Sequence, residues 1–318
     1  MDTQERPDAA ILFPGMGPTA FGDVARFMVA NPCARRLVAT ADDVLGYSLV
    51  DRYQEADGDA YSPYAQIAFV VNCLALAEWA QPRMEVPPRF VAGPSFGGRA
   101  AAVHAGVLSF PDAVLMTARL ADRMAEYFTR EHPELVTHTV VRVPLERLSE
   151  ALRELDESGE WYDISCYVDD DFTMVTLSER SLERFERRVR SLGGLSLYTM
   201  KPPMHSHVFR GLRDQVEAEI FDGLVFSDPL VPVVADQDGT VLTTGSGVRT
   251  MLLDGFVRPV RWPDVVASLT GQGVGTLYVA GQDGMFSRVA GTARTFRVVP
   301  FTPRAAMQPV RGKMPAGR

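Results

Sequence analysis

Ser95 sits in the stretch GPSFGG, Gly93 to Gly98, with a glycine two positions away on each side. A hydroxyl held clear of the backbone can attack a carbonyl if a base takes its proton and fixed dipoles meet the oxyanion that forms. The surrounding RFVAGPSFGGRAAAVHAGVL runs from an apolar segment into an alanine-rich one, which reads as strand, sharp turn and helix. The glycines permit the tight bend, and the helix start offers free N–H groups beside the serine. Glycine and serine are also ordinary turn residues, so this pattern alone leaves nucleophile and structural turn equally open.

A base must come from elsewhere, and histidine titrates in the right range. Of the five histidines, His104 follows the turn on its own helix, and His132 and His138 lie where the sequence pattern changes. His205 and His207 share KPPMHSHVFRGL, a Pro-Pro turn leading into a helix at the boundary of two units, where a cleft is expected. Cys33, Cys73 and Cys166 are widely spaced without a CxxC pair and read as buried thiols. No phosphate loop or metal-ligand spacing is present, so neither a metal nor a nucleotide cofactor is expected.

The elements that position these groups follow from hydrophobic pattern and punctuation. Ala10 to Phe13 predicts a buried strand, followed by helices at Ala20 to Ala30, Pro32 to Leu45 and Pro63 to Ala80, the last nearly all apolar. A strand at Phe90 to Ala92, the serine turn, and helices at Gly98 to His104 and Pro111 to Thr129 complete an alternation that implies a parallel sheet. Strands at Val136 to Val143, Tyr162 to Val168, Phe172 to Leu177 and Leu195 to Met200, with helices at Pro144 to Glu157 and Ser181 to Leu192, give the order βαββαβ of a ferredoxin-like module. The fold class is therefore α/β. A large α/β-hydrolase-like domain, 1–131 and 201–302, carries the small subdomain 132–200 as an insertion, with a loose tail at 303–318.

With 46% hydrophobic and 23% charged residues, the chain has the make-up of a soluble globular protein. No apolar run is long enough to span a bilayer, and MDTQERPDAA lacks the order of a signal peptide. A cytoplasmic monomer is expected. The lack of a spanning run leads to the expectation of no membrane partner, and a net charge of −8 argues against general nucleic-acid binding, so an acidic partner must meet a local basic patch.

In their order these residues resemble the malonyl-CoA:acyl-carrier-protein transacylases and the acyltransferase domains of polyketide synthases. The similar stretches are FPGMG, Phe13 to Gly17; GPSFGG followed without a gap by RAAAVHAGVLSFPDAV; Gln66 in SPYAQIAF; His205-Ser206; and PVRW, Pro259 to Trp262. The resemblance implies that Ser95 is the acyl nucleophile and His205 its base. It places the oxyanion hole at the backbone N–H groups of Met16 and Phe96, and backbone carbonyls near Arg261 would orient the histidine. Gln66, Pro94, Leu120, Met204 and Arg261 would line the substrate pocket.

Three departures bear on the cargo. The arginine with which malonyl-type members hold a free carboxylate falls on Leu120 here; Pro94 replaces a histidine, and Gly98, followed by Arg99, replaces a glutamate. Leucine cannot pair a carboxylate, and leaving one desolvated and unpaired costs several kcal/mol, on the order of a broken buried ion pair. The chamber is thus expected to be less polar and roomier than a malonyl site. A neutral acyl group fits that expectation, and the resemblance points to discrete acyltransferases that move aminoacyl or dipeptidyl starter units between acyl carrier proteins in macrolactam pathways. A malonyl transferase, a thioester hydrolase and an inactive carrier-binding scaffold are the alternatives. For docking an acidic carrier, Arg147, Arg153, Arg187, Arg210 and Arg297 are the candidate contacts, set against the plain reading of helix faces interleaved with glutamates.

Overall fold

The computed structural model describes residues 7–308. The large unit begins with β1 (Asp8–Leu12), then α1 (Phe21–Ala30), α2 (Pro32–Leu45), α3 (Leu49–Glu55), α4 (Pro63–Ala80), β2 (Pro88–Ala92), α5 (Gly97–His104) and α6 (Phe110–Glu131). The small unit follows as β3 (Leu135–Val141), α7 (Leu145–Glu157), β4 (Tyr162–Asp169), β5 (Phe172–Ser178), α8 (Glu179–Ser191) and β6 (Leu195–Met200). The chain returns through α9 (Arg210–Glu219), β7 (Val233–Val234), β8 (Val241–Leu242), α10 (Gly245–Asp254), β9 (Val260–Arg261) and α11 (Trp262–Gly271). It closes with β10 (Val274–Ala280), α12 (Ala290–Thr295), β11 (Arg297–Phe301) and α13 (Pro303–Ala306).

The large sheet has the order β11-β10-β1-β2-β7-β8, with every neighbouring pair parallel except β7 and β8. Its central strands are apolar on both faces, because helices cover both. α4 is buried along almost its whole length and begins where Ser62 caps the Ala65 N–H and Pro63 takes the first helical position. Parallel strands deliver their C-terminal ends to one rim, and there the loops after β1, β2 and β7 come together.

The second sheet runs β6-β3-β5-β4-β9. Its first four strands are antiparallel in the ferredoxin-like arrangement, and α7 and α8 pack on one face through Leu148, Leu152, Phe185 and Val189. The other face contributes Cys166, Val168 and Met174 to a core shared with Ala10, Leu12 and Ala92 of the large sheet. β9, only two residues long and drawn from the returning chain, pairs in parallel with β4 and fixes the two units to each other. The fold is therefore a large α/β unit with a parallel sheet and a ferredoxin-like subdomain.

The tail expected at 303–318 starts as structure. Thr302 caps α13 through the Ala305 N–H, and Pro303 is buried against the core. Residues 309–318 of that segment lie outside the described residues.

Candidate active site

Ser95 occupies the bend between β2 and α5 with φ of 55°, the left-handed region that strains a side-chain-bearing residue. The strain is held by contacts on both sides. Its N–H donates to Asp236 Oδ2 at 2.6 Å, and the N–H groups of Gly97 and Gly98 close back onto the carbonyls of Pro94 and Ser95. Space makes the glycines obligatory: a Cβ on Gly97 would lie 2.0 Å from the Phe13 carbonyl oxygen, and one on Gly93 2.4 Å from that of Gly97. This close approach seats the start of α5 against the loop after β1.

His205 is presented from the chain that follows β6, also at positive φ, 63°. Its Nε2 lies 2.7 Å from Ser95 Oγ. The neighbouring residues pin it: the Ser206 N–H donates to the Phe256 carbonyl, and the Ser206 hydroxyl donates to Asp163 Oδ2 at 2.7 Å. His207 bonds the same Asp163 oxygen at 3.0 Å and sits beside Trp161, exposed and outside the site, so of the two histidines at this turn one faces the serine. Nδ1 of His205 faces the Gly255 carbonyl, and in the tautomer with the proton on Nδ1 the Nε2 lone pair accepts from the serine hydroxyl. Burial lowers the imidazole pKa to about 4, so it is neutral at pH 7 and able to accept a proton.

The two groups open into a cavity whose free volume is about 100 Å³. Met16, Phe96, Gln66, Leu120 and Met204 all line it, together with Met116, Met124, Met251 and Phe256. The Met16 and Phe96 N–H groups meet no protein acceptor among the described residues. Leu120 is buried in the wall, on α6.

Three expectations are corrected. Arg261 does not reach the cavity: its guanidinium pairs with Asp264 and lies over the Tyr167 ring, because β9 joins the small sheet and turns the side chain outward. The carbonyl facing the histidine is that of Gly255 instead. Pro94 is buried beneath the turn, where its carbonyl accepts the Gly97 N–H, and it is not among the residues lining the cavity. Most consequential, the chamber holds a guanidinium after all. Arg99 lines the cavity, is 7% exposed, lies with its guanidinium 3.9 Å from the centre of the Phe96 ring, and has no ion pair among the described residues. The sequence offers only its position, on the first turn of the helix that leads away from the serine bend. Asp236 and Gln237 were not anticipated either. They follow β7, and the rule that parallel sheets build sites at strand C-terminal ends points to them.

The docking arginines divide. Arg147 and Arg153 on α7, and Arg210 at the start of α9, are exposed and carry no ion pair among the described residues. Arg187 pairs with Glu183 one turn earlier. Arg297 is withdrawn as a contact near the site: it begins β11, level with the N-terminal ends of the strands, and forms a two-pronged bond with Glu85 at 2.9 Å on each prong. Ser95 follows the opposite, C-terminal end of β2. Among the described residues there is no helix long and apolar enough to cross a membrane, and no histidine, cysteine or carboxylate cluster that could hold a metal.

Comparison with known proteins bears on this geometry. Residues 139–200 match the family described as the VinK acyltransferase small domain. The chain is 26% identical over 278 residues to the malonyl-CoA:acyl-carrier-protein transacylase of Escherichia coli K12, covering 86% of this chain and 88% of that one. The solved complex of PlMCAT with AntF, a type II polyketide synthase carrier protein with its malonyl transacylase, superposes with a TM-score of 0.80 at 24% identity, covering 92% of this chain and 95% of that chain. FabD from Acinetobacter baumannii gives a TM-score of 0.82 at 19% identity, covering 95% and 96%. In sequence the chain is similar to malonyl-CoA:acyl-carrier-protein transacylases, and it shares their fold.

Proposed function

For an acyltransferase related to the malonyl-CoA:acyl-carrier-protein transacylases, we propose that Ser95 carries the acyl group between two phosphopantetheine thioesters of acyl carrier proteins during polyketide assembly. The observation that supports this most is the 2.7 Å contact between Ser95 Oγ and the Nε2 of a buried, neutral His205. The Ser95 hydroxyl gives its proton to His205 as Oγ attacks the thioester carbonyl. The resulting oxyanion is met by the Met16 and Phe96 N–H groups, for which no acceptor among the described residues competes. Collapse breaks the carbon–sulfur bond, His205 returns the proton to the departing sulfur, and an ester on Ser95 remains. A second pantetheine thiol reverses these steps. The exchange so written uses no metal and no nucleotide.

The cargo we infer is aminoacyl or dipeptidyl, not carboxylated. Leu120 supports it, since an apolar wall stands where malonyl-type relatives place their arginine. A second reading, an acidic acyl group such as malonyl, is favoured by one observation, the unpaired guanidinium of Arg99. Competition between a malonyl-loaded and an aminoacyl- or dipeptidyl-loaded carrier for one unloaded acceptor carrier decides between them. The expected result is transfer of the non-carboxylated group with little hydrolysis; faster malonyl transfer supports the second reading, and release to water in place of transfer points to a hydrolase.

A further inference from the structure

Ser95 and His205 both stand at positive φ, so neither keeps its place by its own backbone preference. Each is held by a different loop of the returning chain. The turn between β7 and β8 supplies Asp236, whose carboxyl accepts the Ser95 N–H at 2.6 Å. The segment that leaves α10 supplies two carbonyls, that of Gly255 facing His205 Nδ1 and that of Phe256 accepting the Ser206 N–H. The 2.7 Å contact between Oγ and Nε2 therefore depends on how these two loops sit relative to each other.

Arg258 joins them. Its Nη2 donates to Asp238 Oδ2 at 2.8 Å, two residues beyond Asp236 on the first loop, and its Nη1 donates to Asp254 Oδ2 at 3.3 Å, where the second begins. Both ends of this span are fixed locally: the Arg258 N–H closes onto the Asp254 carbonyl at 2.8 Å, and Asp238 Oδ1 accepts the Thr240 N–H at 3.0 Å. A guanidinium can divide its nitrogens between two carboxylates in this way. Beneath it lies a second, buried tie between the same turn and α10, in which Gln237 Nε2 donates to the Met251 carbonyl at 3.1 Å. The charge of Arg258 is also felt at the first loop's contact with the serine, since burial raises the Asp236 carboxyl and Arg258 opposes that rise.

Arg258 is partly exposed, and ion pairs in such places contribute little to folding. What they can do is set a distance. A displacement of about 1 Å between reacting groups is enough to cost roughly 100-fold in rate.

We propose that Arg258 is a positioning residue for proton transfer from Ser95 to His205, holding the Asp236 turn and the Gly255–Phe256 segment at the separation that aligns the two. It touches no reacting atom itself. The inference rests on the acyl-exchange reading above and adds how the pair at its centre is kept in register.

The test uses the full chain and two readouts. A small alkyl fluorophosphonate labels Ser95 as Oγ attacks phosphorus, fluoride leaves and His205 takes the proton, and intact mass gives the rate. Exchange between an acylated and an unloaded carrier protein gives kcat and KM. Arg258→Met should slow labelling and kcat by about 10-fold or more while KM stays within about 2-fold, because the groups lining the cavity are untouched. Asp238→Ala should slow both in the same way, and the double variant should be no slower than the worse single one, as for two residues acting through one bond. Arg297→Met, which breaks the two-pronged pair with Glu85 at the far end of the sheet, should leave both rates unchanged. Wild-type rates in Arg258→Met would overturn the proposal. So would a change confined to KM, losses that add in the double variant, or an equal loss in Arg297→Met. No labelling of Ser95 in the wild-type chain would instead remove the exchange reading beneath it.

Discussion

At the residue scale, burial sets how each group titrates. His205 must be neutral to take the Ser95 proton, and its pKa is held near 4 because the surrounding apolar wall disfavours the imidazolium. Acylation should therefore stay flat as pH falls from 8 through 6 and drop only near pH 5 and below; a decline centred at about 6.5, the free-histidine value, would contradict this. Asp236 is displaced the opposite way, raised to about 6 chiefly by burial, although it accepts the Ser95 N–H. A raised carboxylate favours folding at low pH, and that advantage is lost as pH rises from the unfolded value near 4 to about 6. Asp236→Asn keeps an acceptor for the Ser95 N–H and removes the charge. It should be near neutral to stability at pH 4 and stabilising by about 2–3 kcal/mol at pH 7, read from thermal unfolding at both pH values; a lower melting temperature at pH 7 would contradict it. Glycine spacing and a domain junction narrow the sequence to Ser95 and to the pair His205 and His207, and the resemblance, not the spacing, chooses His205. Arg99 reads there only as a neighbour of the missing glutamate, since a charged residue on an alanine-rich helix is expected at the surface.

At the element scale, the site depends on how closely α5 approaches the loop after β1. Gly97→Ala would drive a methyl into the Phe13 and Pro14 carbonyl oxygens, whereas a methyl on Gly17, in the same loop, would meet nothing within 4 Å. Gly97→Ala should cost on the order of 3 kcal/mol or more and Gly17→Ala less than about 1, compared by denaturant unfolding; equal effects would show that the helix can slide to make room. Elements with a strong period and punctuation are readable from sequence. The bounds Pro32–Leu45, Pro63–Ala80 and Leu195–Met200 agree at both ends, because proline or a side-chain cap opens each of the two helices and glycine precedes the strand. The returning chain offers no such signal. β7, β8 and β9 are two residues each, too short for any alternation, and exist only through pairing with distant strands. The same reason hides the outward turn of Arg261, which follows from β9 joining the small sheet.

At the scale of the whole molecule, the large and small units share a core, and the chain crossing back between them delivers His205 to Ser95. The insertion is visible in the sequence as a change from strand–helix alternation to βαββαβ; the fifth strand that ties it down is not. Carrier docking belongs to this scale. With Arg187 and Arg297 engaged by Glu183 and Glu85, Arg147, Arg153 and Arg210 are the exposed candidates left, and the two on α7 are the ones to test against an acidic carrier. Arg147→Glu with Arg153→Glu should raise KM for a carrier-bound donor by roughly 5-fold or more beyond any change for a small pantetheine thioester, with a weaker salt dependence; equal changes for both donors would place docking elsewhere.

The acyl-serine intermediate is tested most directly by intact-mass measurement of the full chain mixed with an acylated carrier protein, before and after an unloaded carrier is added. The expected result is a mass increase equal to the acyl group, located at Ser95, absent from Ser95→Ala, and discharged onto the second carrier. Transfer that proceeds unchanged in Ser95→Ala, or with the adduct on another residue, would contradict the account.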